Sequence, residues 1–268
     1  MKYSFMTFST KDLTLDEVFE VARRYGYDGV EPRLDSGHAH GLEAGVSKEQ
    51  QADVRRRAEK AGVALACLAT SLKFADRDAA EATIRDAHER IDLAGDVGAP
   101  AIRVFGGKLA QGFSREAASD LMVSSLRAVA DHAAGRGVTI CLETHDDWCD
   151  PAHVAPVMRR VAHPAVGINW DVMHPLRIAN VPMEQAFETL KPWIRHTHCH
   201  DGLGHEEKGK IAYLPMGQGK HDHRIAMRLL KSIDYKGYLS GEWINWEPWE
   251  VHLPRELATL KRYEQELA

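Results

Sequence analysis

Residues Ile194 to Asp201 read Ile-Arg-His-Thr-His-Cys-His-Asp, with histidines at alternate positions of a largely apolar stretch. Side chains alternate faces along an extended strand, so His196, His198 and His200 point to one side and Cys199 to the other. Each imidazole brings two ring nitrogens that need partners, which makes a row of them hard to explain as packing. A metal or a polar substrate at the strand's end explains the row. Core histidines satisfied by neighbours are the plain alternative.

Other strand-like runs close on acids: Gly29-Val-Glu31, Val138–Glu143, Val166–Asp171 and Gly237–Glu242. Strand interiors normally exclude carboxylates, so acids at these ends carry information. Gathered at one rim, Glu143, Asp171 and Glu242 would repel unless protonated or neutralised. A divalent cation with His198 as fourth ligand resolves the conflict. This oxygen-rich set suits Mn2+ first, then Mg2+ or Co2+, with Zn2+ also possible, at one ion per chain. The inference fails if the carboxylates lie scattered or are already neutralised by arginines.

The elements that must hold these residues alternate regularly. Capping boxes at Thr14-Leu-Asp-Glu17 and Ser47-Lys-Glu-Gln50 open the first two helices. Lys2–Phe8 reads as the first strand, Gly29–Glu31 as the second and Val63–Leu68 as the third. Ala101–Phe105 is the fourth, the acid-ended runs at 143 and 171 the fifth and sixth, the histidine strand the seventh, and Gly237–Glu242 the eighth. Helices are expected over about 78–97, 114–136, 151–161, 183–190, 224–233 and 255–267. Strand and helix units of this number and length match a single (β/α)8 TIM barrel of the α/β class, one domain over residues 1–268. An open doubly wound sheet would carry a glycine-rich phosphate turn after the first strand, and Phe8-Ser-Thr-Lys-Asp12 is not one.

Bulk properties bound the function. Charged residues make up 27% of the chain and the net charge is -5, which gives no long-range attraction to nucleic acid. No apolar run is long enough for a signal peptide or a membrane span, so neither a membrane nor a nucleic acid is an expected partner. Cys67, Cys141, Cys149 and Cys199 show no paired spacing and read as free thiols in a reducing cytoplasm.

Taken in order, Tyr27-Asp-Gly-Val-Glu31, Arg103-Val-Phe-Gly-Gly107, Cys-Leu-Glu143-Thr-His145, Asn-Trp-Asp171-Val-Met-His174, His-Thr-His198-Cys-His-Asp201, Gly217-Gln-Gly219 and Gly-Glu242-Trp resemble the xylose isomerase-like TIM barrel superfamily, in its sugar phosphate isomerase/epimerase branch. The resemblance spans the chain. It implies Glu143, Asp171, His198 and Glu242 as metal ligands, and Glu143 and Glu242 as the pair moving protons on opposite faces of a sugar. It implies that His174 bonds substrate or metal-bound water, that Glu31 and His145 lie near substrate, and that the protein is a homo-oligomer, a dimer or tetramer. Two departures stand out: His200-Asp201 replaces the usual Lys-Asp, and Gly204 occupies the position where ketose 3-epimerases of the branch carry arginine.

The chemistry implied is proton abstraction next to a carbonyl, with a divalent ion stabilising the enediolate. Return of the proton to the neighbouring carbon isomerises, return to the other face epimerises, and loss of a β-substituent eliminates. The expected substrate is a small sugar, keto-sugar or inositol-type polyol, non-phosphorylated, because no basic cluster sits beside Gly217-Gln-Gly219. His200, Lys108 and Trp148 are candidate substrate contacts, beside His38, His40 and Lys73, although packing is the commoner job for tryptophans such as Trp148, Trp243, Trp246 and Trp249. A lyase or dehydratase acting on a keto-polyol or 3-keto-glycoside is the runner-up, on the strength of His200 and His205. An endonuclease IV-like DNA-repair nuclease ranks last, since the second and third strands lack its histidine ligands.

Overall fold

A computed structural model describes residues 1–203 and 211–267, so Gly204 and His205 lie outside the described residues. The barrel strands are β1 (Lys2–Met6), β2 (Gly29–Glu31), β3 (Ala64–Leu65), β4 (Leu68–Lys73), β5 (Ala101–Phe105), β6 (Thr139–Glu143), β7 (Val166–Asp171) and β8 (Ile194–Cys199). A short hairpin, β9 (Asp201–Leu203) and β10 (Ala212–Leu214), precedes the last barrel strand, β11 (Tyr238–Gly241). All barrel pairings are parallel, in the order β3-β2-β1-β11-β8-β7-β6-β5-β4. The two ends of that order are successive pieces of one chain segment, so the sheet closes on itself. Backbone bonds Ala66 N to Val30 O, Ala69 N to Pro32 O and Leu34 N to Ala69 O stitch the seam. This is a single (β/α)8 TIM barrel.

The outer ring comprises α1 (Leu15–Tyr25), α2 (Lys48–Ala61), α3 (Ala80–Val97), α4 (Arg115–Gly135), α5 (Pro151–Val161), α6 (His174–Ala179), α7 (Met183–Leu190), α8 (His223–Ser232) and α9 (Trp249–Glu266). Both predicted capping boxes form, and α1 and α2 stop at Gly26 and Gly62 in the left-handed conformation that glycine adopts without a Cβ penalty. Between helices and sheet, Ile140, Leu142, Ile168, Trp170 and Leu239 join one continuous apolar core.

The inward side chains differ. Cys67, Ala101 and Cys141 form a separate small plug inside the barrel. Two residues further along the same strands come Ala69, Arg103 and Glu143. The two-residue repeat carries each inward position from a small apolar floor to a polar upper layer.

Several elements differ from expectation. The third strand is not one run over Val63–Leu68: it breaks at Ala66-Cys67 and continues as β4 to Lys73, which places Lys73 at a strand end. The histidine strand stops at Cys199, because Asp201 turns into the hairpin. The final helix begins at Trp249 and runs through Pro254, ahead of the start expected near residue 255. Helix α6 has no counterpart in the sequence reading.

Trp148 ends a single 3₁₀ turn and is fully buried, its indole beneath Gly106 and its face toward Arg115. A Cβ at Gly106 would lie 2.2 Å from Trp148 Cδ1. Gly106→Ala should therefore overpack this contact and cost about 1–3 kcal/mol. Thermal unfolding should show a Tm lower by several degrees, and an unchanged Tm would mean that the indole relaxes freely.

Candidate functional site

The upper layer of the barrel assembles the residues that the strand ends supplied. Glu143 ends β6, Asp171 ends β7, His198 lies one residue before the end of β8, and Glu242 follows β11 with its N–H donating to Cys199 O. One ligand atom from each of the four lies within 4.8 Å of every other. Glu143, Asp171 and His198 are fully buried, and Glu242 is 7% exposed.

His196 and His198 sit on the same face, as alternation demands, and Glu31 lies beneath both. Glu31 accepts from His196 Nε2 at 2.8 Å, His198 Nε2 at 3.0 Å and Ser240 Oγ at 2.7 Å. These contacts correct the expectation of a substrate-binding Glu31: its carboxylate is enclosed and orients His198. With Nε2 turned down to Glu31, His198 turns Nδ1 up, 3.2 Å from Glu143 Oε1 and 3.5 Å from Glu242 Oε2. Asn169, two residues before Asp171 on the same face, places Nδ2 3.0 Å from that nitrogen. A carboxylate behind an imidazole is the arrangement that fixes a metal-ligating histidine.

Arg103 is the one guanidinium touching the four acids among the described residues. Its Nε lies 3.2 Å from Glu143 Oε2 and its Nη1 donates to Thr70 O at 2.9 Å. Arginine thus touches Glu143 alone, and Asp171 and Glu242 have no arginine in ion-pair contact among the described residues. Burial by itself would push His198 toward neutrality, yet Glu31, Glu143 and Glu242 hold its pKa well above the usual imidazole range. Burial likewise opposes ionisation of Glu242 and Asp171, but His198 for the first and His174 and His200 for the second keep both below the ordinary carboxylate range.

Asp171 is aimed by its own turn. Its Oδ1 accepts from the N–H groups of Met173 and His174 at 2.8 Å each, leaving Oδ2 without a hydrogen-bond partner. Oδ2 faces His200 Nδ1 at 3.4 Å and His174 Nδ1 at 3.7 Å. His174 Nδ1 also lies 3.1 Å from Thr144 O, and a carbonyl only accepts, so Nδ1 carries the proton and Nε2 the lone pair. Burial lowers the His174 pKa to about 4 and also lowers that of His200, so both rings are neutral at pH 7.

Asp171 Oδ2 and His200 Nδ1 are buried without a hydrogen-bond partner, and Glu143 Oε2 meets only the Arg103 guanidinium. Three acids and an imidazole, with a buried oxygen of Asp171 left unpartnered, match the donor set of a hard divalent cation. The residues present fit such an ion.

Around this centre runs an arc of rings. His145 packs edge-on to His174, His174 to His200, and His200 to Tyr213, with centroids 4.8, 5.4 and 5.6 Å apart. His145 pairs with Asp146 at 3.2 Å. Exposed Lys108 and Lys73 act electrostatically on Asp146, so they stand on this side of the mouth. Trp148, expected to contact substrate, is enclosed beneath Gly106 instead. The amides of Gly217 and Gly219 both donate to Asp201 Oδ2, at 2.8 and 3.0 Å, and are not available to a phosphate. His38 and His40 are also used locally, by Thr7 Oγ1 and by the Leu42 N–H.

Sequence reasoning missed Arg103, Asn169 and Ser240 as members of the site. The signal was present for the first two: a charged and an amide side chain inside apolar strands, Asn169 in phase with the Asp171 that ends its strand.

No curated protein sequence matches the chain. Solved structures superpose on its whole length at low identity. The probable 3-DHS dehydratase involved in petrobactin synthesis in Bacillus anthracis aligns with TM-score 0.81 and 20% identity, over 97% of this chain and 99% of that one. An L-ribulose 3-epimerase gives TM-score 0.81 and 16% identity over 100% and 96%. A xylose isomerase-like TIM barrel protein from Mycobacterium smegmatis in complex with magnesium gives 0.78 and 20% over 100% and 98%. At these identities the likeness is one of fold. The family assignment comes from the sequence profile of the xylose isomerase-like TIM barrel, which matches residues 19–263, and the chain belongs to that family.

Proposed function

We propose that this protein is a divalent-metal-dependent isomerase or epimerase of a sugar, keto-sugar or inositol-type polyol, working by proton abstraction next to a carbonyl. The observation that carries the reading is the convergence of Glu143, Asp171, His198 and Glu242 within 4.8 Å. These four would hold the ion, with Mn2+ the first choice from the donor set. When bound, it supplies Lewis acidity at a substrate carbonyl oxygen.

The chain's own residues divide the remaining work. Glu242 is ionised, slightly exposed and free of arginine contact, and we assign it the removal of the proton from the carbon next to the carbonyl. Glu143, held by Arg103 from behind, serves the opposite face of the ring. His174, neutral and with a free Nε2, accepts a hydrogen bond from a substrate hydroxyl. His145 and Lys108 stand at the rim, where a polyol's outer hydroxyls would lie.

A second reading, a lyase or dehydratase on the same site, is favoured by one observation. Two imidazoles, His174 and His200, flank Asp171, and His200 Nδ1 has no hydrogen-bond partner of its own, so a ring is on hand to hydrogen-bond a departing hydroxyl. Product analysis separates the readings, since elimination yields an unsaturated product and isomerisation does not.

Solvent deuterium should exchange into a reactive member of a panel of keto-sugars and keto-inositols. Glu242→Gln should lower that exchange by about 10²–10⁴-fold with circular dichroism unchanged. Full exchange in the variant removes Glu242 from the role of base.

Metal loading should obey the protonation state of His198. In the metal-free site its ring is doubly protonated, because its pKa is raised; a ligand must be deprotonated. Mn2+ binding should therefore release a proton and weaken as pH falls from 8 to about 5.5, read by calorimetry in buffers of different ionisation enthalpy. Glu31→Gln should cost about 10–100-fold in Mn2+ affinity through loss of ring orientation. Affinity equal to wild type would mean that Glu31 does not position His198.

A further inference from the structure

Helix α6 brings one more charge to the mouth. Arg177 follows His174 by three residues and so shares its helix face. It is half-buried, and its Nε and Nη1 are inaccessible to solvent with no hydrogen-bond partner among the described residues. No carboxylate lies within ion-pair distance of it among those residues, whereas Arg103, Arg90 and Arg136 all have one. Its charge acts on His200, Tyr213, His221 and Cys149. His200 and Tyr213 belong to the ring arc around the metal-ligand cluster. A guanidinium is always charged and presents a planar fork of donors. Held with two nitrogens dry beside neutral rings, it lacks the acceptor that such a fork matches.

We propose that Arg177 anchors an oxyanionic group of the substrate, a carboxylate, so that the site's natural substrate is an acidic polyol or keto-acid and not a neutral sugar. This deepens the function proposed above and rests on that reading for what happens to the substrate's other end. A carboxylate is favoured over a phosphoryl group because the glycine amides that could have served a phosphate are occupied by Asp201. One cation matches one negative charge.

The test uses the Mn2+-loaded protein and matched probes that differ only in charge: gluconate against glucitol, a carboxylated cyclohexane polyol against an inositol, and glucose 6-phosphate against glucose. Binding is read by titration calorimetry and by thermal shift. The acidic member of at least one carboxylate pair should bind about tenfold more tightly or better, as a charge-assisted bond predicts. Arg177→Gln should erase that preference without weakening the neutral partner, and Arg177→Lys should keep part of it. Circular dichroism and Tm of each variant monitor folding. Equal behaviour within every pair overturns the proposal, as does a preference that survives Arg177→Gln, which would place the acid directly on the metal. A phosphate preference that depends on Arg177 overturns the carboxylate assignment in favour of a phosphorylated substrate. The deuterium-exchange result is independent of these outcomes. An Arg177-dependent preference with no exchange in any ketone keeps the anchor and discards the proton-abstraction chemistry.

Discussion

The pairing of His198 with Glu31 is the interaction on which the site depends. Glu31, Glu143, Asp171 and Glu242 are enclosed at one end of a narrow barrel, where ionised groups are costly unless compensated. Arg103 compensates one of them from below. His198 compensates Glu31 and Glu242 from the middle, with one nitrogen committed to Glu31 and the other turned to the open side. Without Glu31 beneath it, the imidazole would be free to turn, and the nitrogen facing Glu143 and Glu242 would no longer be defined. The geometry of the upper layer thus originates one layer below, in a residue outside the four that converge there.

The strand repeat builds this stacking cheaply. Inward positions fall two residues apart, so Cys141 and Glu143, Ala101 and Arg103, Asn169 and Asp171, and His196 and His198 form successive tiers. Small side chains plug the floor and leave room for the buried polar tier above. Parallel strands all finish at the same end, which brings acids from distant parts of the sequence to one rim.

Much of this was legible in the chain. Strand-terminal acids and alternating histidines identified the four convergent residues, because a two-residue period is local and needs no knowledge of packing. Glu31 looked like the other strand-terminal acids, and nothing local distinguishes a carboxylate that faces a ligand from one that faces a histidine two strands away. Trp148 looked like a loop aromatic, and only the turn after β6 tucks it under Gly106. Helix α6 escaped notice because Pro175 and its six-residue length break the usual helical pattern. The third strand was misjudged at both ends, since the break at Ala66-Cys67 answers to neighbouring strands and not to its own residues. What was missed throughout is what depends on the far side of a contact.

Asp201 has a consequence for how such a barrel changes over evolutionary time. Its carboxylate grips Gly202, Gly217 and Gly219, tying the exit of β8 to a point well over a dozen residues later. A side chain at Gly219 would lie 2.0 Å from Asp201 Oδ1, so the knot tolerates no substitution there without rearrangement. With the base secured, the excursion between can be lengthened or rewritten for little free energy, roughly 0.6 kcal/mol per doubling of a loop. The strand ends that carry His198 and Asp171 are thereby insulated from changes of length or sequence in that excursion.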